Sequence, residues 1–138
     1  MVELDDSLFN SAEPMFIQYI NEAKNDIFDF GASHLCKIII EKQGKISSTR
    51  RGMEFSIVVS DKLRFDVQTE FYVANGDFYY NIWAEVRMDS NKLSAICDGV
   101  IYGSNEHYEG YNKAVKEACQ KCLEKYNEMH KNLANYFF

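Results

Sequence analysis

The chain has one proline in 138 residues, Pro14, and no tract rich in Gly, Ser and Pro. No flexible linker is expected, and the length suits one domain over residues 1–138. No apolar run approaches the roughly 18 residues a membrane span needs. The opening "MVELDDSLFN" is acidic, whereas a secretory signal starts basic and turns apolar. Basic charge is scarce too. The 15 Lys and Arg against 21 Asp and Glu leave a net charge of −6. That balance argues against a general nucleic-acid binder, whose affinity comes largely from a basic face. The four cysteines, Cys36, Cys97, Cys119 and Cys122, show no disulfide-framework spacing, so a reducing, cytoplasmic setting is expected. None of G-x-x-x-x-G-K-[ST], G-x-G-x-x-G, G-x-S-x-G or H-E-x-x-H occurs. No catalytic residue, cofactor or metal site is assigned, and an enzyme is the less favoured class.

What is present is apolar and aromatic material enough for a core: 46% hydrophobic residues, 14% aromatic. A chain of this size buries roughly two thirds of its unfolded surface without a disulfide or metal. "SAEPMFIQYINEAKNDIFDFG" reads as a first helix, with Ser11 as cap, Pro14 in the first turn and Gly31 at the end. Phe16, Tyr19, Ile20, Ala23, Ile27 and Phe30 form its apolar stripe. Five strands follow, near 35–42, 53–60, 63–73, 77–88 and 93–102. "GYNKAVKEACQKCLEKYNEMHKNLANYFF" reads as a long amphipathic last helix. The expected architecture is α+β and two-layered: an N-terminal helix, a five-stranded antiparallel meander, and a long C-terminal helix on one sheet face.

The strongest local signal is Asn75–Gly76, which favours a two-residue type I′ turn because both positions need positive φ. That turn sets Phe71 opposite Tyr80, Thr69 opposite Ile82 and Val67 opposite Ala84, all on the core side. The next turn, "DSNK", is expected to pair Ala84 with Cys97 and Ile82 with Gly99. The outward residues are then Arg64, Asp66, Gln68, Glu70 and Tyr72, facing Arg87, Glu85, Trp83, Asn81 and Tyr79. Tyr79 is expected opposite Tyr102, with Val100 beside Trp83. Tyr72, Tyr79, Trp83, Val100 and Tyr102 thus form a candidate partner-binding patch. Arg64 and Arg87 join it, paired diagonally with Glu85 and Asp66.

Other chemistry is weighed against plain structural roles. The C-x-x-C of Cys119 and Cys122 lies mid-helix on the apolar stripe, away from the helix N-terminus where redox pairs sit, and reads as core. "NEHYEGY" holds Glu106, His107, Tyr108 and Glu109, which with Asp98 nearby could make a metal or acid–base site, but no second ligand motif supports one and it reads as a helix-entry loop. "KQGKISSTRRG" places Lys42, Lys45, Arg50 and Arg51 in one acid-free segment, a candidate phosphate-binding loop. "NKAVKEACQKCLEKY" is similar to the last helix of double-stranded-RNA-binding domains, a resemblance that implies phosphate contacts by Lys113, Lys116 and Lys121. The family's Gly-Pro-x-His loop is absent and the charge is acidic, so the resemblance is not adopted. The sequence reading is therefore a non-enzymatic interaction module. It forms a homo-oligomer, most simply a dimer, or binds a protein partner through the aromatic sheet face. The alternative is a small-ligand or nucleotide binder with a sheet–helix cavity and the basic 42–51 loop.

Overall fold

In the computed structural model the described backbone covers residues 2–47, 50–61, 63–88 and 100–137, with side chains over 10–47, 50–61, 63–87 and 106–129. Helix α1 (Val2–His34) precedes strands β1 (Lys37–Ser47), β2 (Arg50–Ser60), β3 (Leu63–Ala74), β4 (Asp77–Met88) and β5 (Val100–His107). A short 3-10 turn (Tyr108–Gly110) leads into helix α2 (Tyr111–Phe137). The sheet is an antiparallel meander in the order β1-β2-β3-β4-β5. Its inner face carries Met53, Phe55, Phe65, Val67, Phe71, Tyr80, Ile82 and Ala84, all buried against Phe16, Ile20 and Ile27 of α1 and Tyr111, Val115 and Cys119 of α2. The α+β, two-layer expectation holds.

The β3–β4 register is as the turn demanded: Phe71 pairs with Tyr80, Thr69 with Ile82 and Val67 with Ala84. Asn75 and Gly76 have φ of 54° and 76°, the signs a type I′ turn requires.

Four local expectations are corrected. Helix α1 does not begin at Ser11. It starts at Val2 and carries Pro14 in its interior, because a proline removes only one i→i−4 bond and the turns on either side hold. Gly31 does not end it, since the helix continues to His34 and stops where Leu35 turns left-handed at φ 56°. The Cys36 N–H then donates to the Gly31 carbonyl at 2.9 Å, closing the last turn in the Schellman manner. "KQGKISSTRRG" is not a loop. Its residues 42–47 and 50–52 belong to β1 and β2, where ladder bonds satisfy a polar backbone and bulges after Ile40 and Lys45 absorb the irregular side-chain pattern. Strand β5 is displaced: Tyr79 pairs with His107, Trp83 with Gly103, Ala84 with Tyr102 and Glu85 with Val100. Tyr102 is thus not opposite Tyr79, and Val100 is not in register with Trp83. The "DSNK" turn and the segment holding Cys97 fall outside the described residues.

Leu35 is 93% exposed, so it gains nothing from burial while paying the steric penalty of a left-handed residue with a Cβ. Leu35→Gly is expected to stabilise the fold by about 1 kcal/mol, raising Tm by roughly 3–4 °C in a thermal melt. An unchanged or lower Tm would refute this reading of the α1 terminus.

Candidate interaction surface on the uncovered sheet face

Strand alternation leaves the other sheet face with a different set of side chains. Among the described residues no helix packs on it, and Gln68, Trp83, Glu85 and Arg87 are exposed there. The register lays out rows across the face: Tyr72–Tyr79–His107, Gly44–Gly52–Glu70–Asn81, Lys42–Glu54–Gln68–Trp83 and Ser56–Asp66–Glu85. Trp83 is 45% exposed at the middle of β4.

The aromatic end is built from Tyr72 and Tyr79, whose rings stack with centroids 5.9 Å apart. His107 meets Tyr79 edge-on at 5.8 Å. Its Nε2 lies 3.0 Å from Asp77 Oδ2. The Phe78 N–H donates to Asp77 Oδ1 at 2.8 Å. That backbone donor first, and His107 second, hold the Asp77 carboxyl below the usual range. Partial burial, followed by the neighbouring Tyr79 and Glu70, pushes the Tyr72 phenol up. The charged end centres on Asp66, which takes Arg87 Nε at 3.1 Å and Arg64 Nε at 3.6 Å. Ser56 Oγ also donates to Asp66 Oδ1 at 2.9 Å. The Asp66–Arg87 diagonal is as expected. Arg64 turns to Asp66 and not to Glu85, because Asp66 is already the focus of that corner.

Between the two ends lies a cleft of about 250 Å³ lined by Ile46, Arg50, Glu54, Gln68, Glu70, Asn81 and Trp83, with Thr69 at its base. Gly52 of β2 lies opposite Glu70 of that lining. A Cβ there would fall 2.0 Å from the Thr69 carbonyl oxygen, so β2 and β3 approach closely only because this residue is glycine. Within the face, Arg50 pairs with Glu70 at 3.6 Å and Lys42 with Glu54 at 4.0 Å.

The four basic residues of the 42–51 segment do not converge. Lys42 and Arg50 serve the outer face, Lys45 is exposed, and Arg51 lies on the inner face, 2% exposed. Arg51 donates from Nη1 to the Ser47 carbonyl at 2.9 Å, while its Nη2 is 3.7 Å from Glu13 of α1. Sequence reasoning missed this tie. Its signal was the two-residue period of Arg51, Met53, Phe55 and Ile57, which puts the arginine in a core column. Of the candidate anchors, the structure brings together Tyr72, Tyr79 and Trp83 on one face with Arg64 and Arg87. The side chains of Val100 and Tyr102 lie outside the described residues.

His107 joins Asp77, while Glu106 accepts from the Tyr80 hydroxyl at 3.3 Å; Asp98 lies outside the described residues. Lys116 is 3.5 Å from Asp26, and Lys121 is 3.9 Å from Glu124. Among the described residues no group of three His, Cys, Asp or Glu could hold a metal. Burial pushes the Cys119 thiol up to about 12, and Cys122 moves the same way, reinforced by its neighbour. No helix of the described residues is long and apolar enough to cross a membrane.

Two tests follow from these environments. In native protein at pH 8, iodoacetamide is expected to label Cys36 and to spare Cys119 and Cys122 until the fold is opened with denaturant; equal labelling of all three would contradict their burial. Following the Asp77 carboxyl by ¹³C NMR, the titration midpoint is expected below that of a free aspartate. The sign is that of a depressed acid: the stabilisation is complete above the ordinary aspartate range and is lost as pH falls through the lowered value. In His107→Gln the midpoint is expected to rise only partway, because the Phe78 N–H remains; a full return would make His107 the dominant cause.

Comparison with known proteins returns no matching family model, no matching curated protein and no matching solved structure.

Proposed function

We propose that this protein is a non-enzymatic, cytoplasmic interaction module that self-associates as a dimer through the uncovered sheet face. The observation that carries this reading is Trp83, 45% exposed at the centre of that face. Exposed aromatic patches of this kind mark interaction sites, and Trp and Tyr are the usual anchors.

Two further features favour a second copy as the occupant. The chain carries a net charge of −6, so copies repel at long range. On this face, however, Glu54, Asp66 and Glu70 each have a basic partner within 4.0 Å. These pairs lower the repulsion between two acidic molecules that meet here. Five strands at roughly 4.8 Å spacing and about ten residues at 3.4 Å give a face of about 800 Å². That is about the area each partner contributes to a standard-size interface.

The small-ligand or nucleotide alternative draws less support. Phe16, Phe71 and Tyr111 fill the space between helix and sheet, with Phe71 ring centroids 4.6 and 4.4 Å from the other two. The basic residues it needs are divided between two faces.

Sedimentation equilibrium and native mass spectrometry test the proposal. Wild-type protein is expected to be dimeric. Trp83→Ala with Tyr79→Ala is expected to weaken the dimer by about thirtyfold or more while keeping a cooperative melt. Loss of the cooperative melt in Trp83→Ala alone would show the ring to be core and remove the reading.

A further inference from the structure

The uncovered face carries a knob and a hole side by side. The knob is Trp83. The hole is the cleft next to it, of about 250 Å³, which spans β1 to β4 and includes Glu70 and Asn81 of the row in which Gly52 carries no side chain. Gly44, paired with Gly52 on β1, also contributes no side chain to that row.

The lining states what the gap accepts. Ile46 and Trp83 give it apolar walls. Its carboxylates, Glu54 and Glu70, already have Lys42 and Arg50 beside them, so a cationic guest gains little. What remains is an excess of acceptor oxygens on Glu54, Glu70, Gln68 and Asn81. A flat, neutral, apolar ring with one N–H donor meets all of these conditions. An indole has that chemistry: an apolar body and a single donor.

The topology supplies such an indole from a second copy. Trp83 stands on β4, and β2, on the other side of the central strand β3, contributes Arg50 and Glu54 to the cleft, with Trp83, Gln68 and Glu54 at one height. A two-fold axis running along β3, in the plane between two facing sheets, lays β4 of one copy over β2 of the other at unchanged height. Strand directions are then kept near parallel, as in aligned sheet packing. The same operation lays Tyr79 of one copy over Arg50 of the other, because Arg50 is one position beyond the Arg51–Phe71 pair and so level with Tyr72 and Tyr79. A guanidinium on a tyrosine face is attractive.

We propose that two copies dock about this axis and that each inserts Trp83 into the cleft of its partner, over Glu54. The inference rests on the self-association reading and adds its geometry.

Trp83 is the chain's only tryptophan, so its fluorescence reports the insertion directly. Dilution of the full chain is followed by sedimentation and by Trp83 emission on the same samples. Gln68→Arg provides the second variant. Its exposed position leaves the fold intact, and its long side chain lies across the cleft of its own copy toward Glu54 and Glu70. The expected result is that dimer dissociation and a red shift of Trp83 emission share one midpoint. Gln68→Arg is expected to move both to at least about tenfold higher concentration. A dimer whose emission stays constant through dissociation, or a Gln68→Arg protein that dimerises like wild type, overturns the insertion and leaves self-association standing. A monomer at every concentration overturns both. A monomer carrying extra mass assigns the cleft to a small molecule and likewise overturns both.

Discussion

The register of the β3–β4 hairpin is the constraint on which the rest of the molecule depends. Asn75 and Gly76 take the positive φ values of a type I′ turn, and that turn allows one alignment of the two strands. A slip of one residue would exchange the faces. With β3 held in place, Tyr80 and Ile82 of β4 would turn to solvent, while Tyr79 and Trp83 would meet the helices. Both the core and the candidate interaction surface are therefore consequences of one turn, read out on opposite sides of the same strands.

A polar lock then seats the helices on that sheet. The Thr69 hydroxyl accepts from the Met53 N–H at 3.1 Å, donates to the Met53 carbonyl at 3.0 Å, and meets the Tyr111 hydroxyl at 2.6 Å. Tyr111 is fully buried, and burial pushes its phenol up, so it stays a neutral donor. A buried polar group is costly when unsatisfied, so this arrangement favours one placement of α2 over its neighbours. Arg51, two residues from Met53 on β2, does the same for α1, reaching Glu13 from the inner face. The side chains that look least suited to a core are the ones that specify where each helix sits.

How much of this was legible in the sequence depends on how local the signal is. The β3–β4 pairing was legible because turn chemistry and alternation point to the same register. The β4–β5 register was not. It was extended from a second turn, "DSNK", and the observed pairing of Trp83 with Gly103 and Tyr79 with His107 follows a different alignment. That error placed Tyr102 in the aromatic patch and missed His107, which takes its place beside Tyr79. The basic segment read as a loop because composition was weighed above period. Arg51 continues the alternation of Met53 and Phe55, and strand pairing proved stronger than polarity. The cleft had the weakest signal of all. Its lining comes from four strands, Ile46, Glu54, Glu70 and Trp83 among them, and only the register of the whole sheet brings these together.

The sheet's edge and its face are treated differently, and the contrast bears on how copies meet. The edge strand β1 carries exposed Lys37, Lys42 and Lys45 and two bulges, the devices by which proteins keep strand edges from pairing with other chains. Edge-to-edge addition at β1 would have to bring these lysines together and straighten a ladder that is interrupted twice. The outer face carries the opposite provisions. Glu54, Glu70 and Asp66 are paired in place, its largest aromatic stands at the centre, and a cleft lies beside that aromatic. A chain that merely tolerated a wet sheet face would need charge there and nothing more. The proposed self-association through the face accords with this division: the β1 edge is set against pairing, while the face offers an exposed aromatic and paired charges.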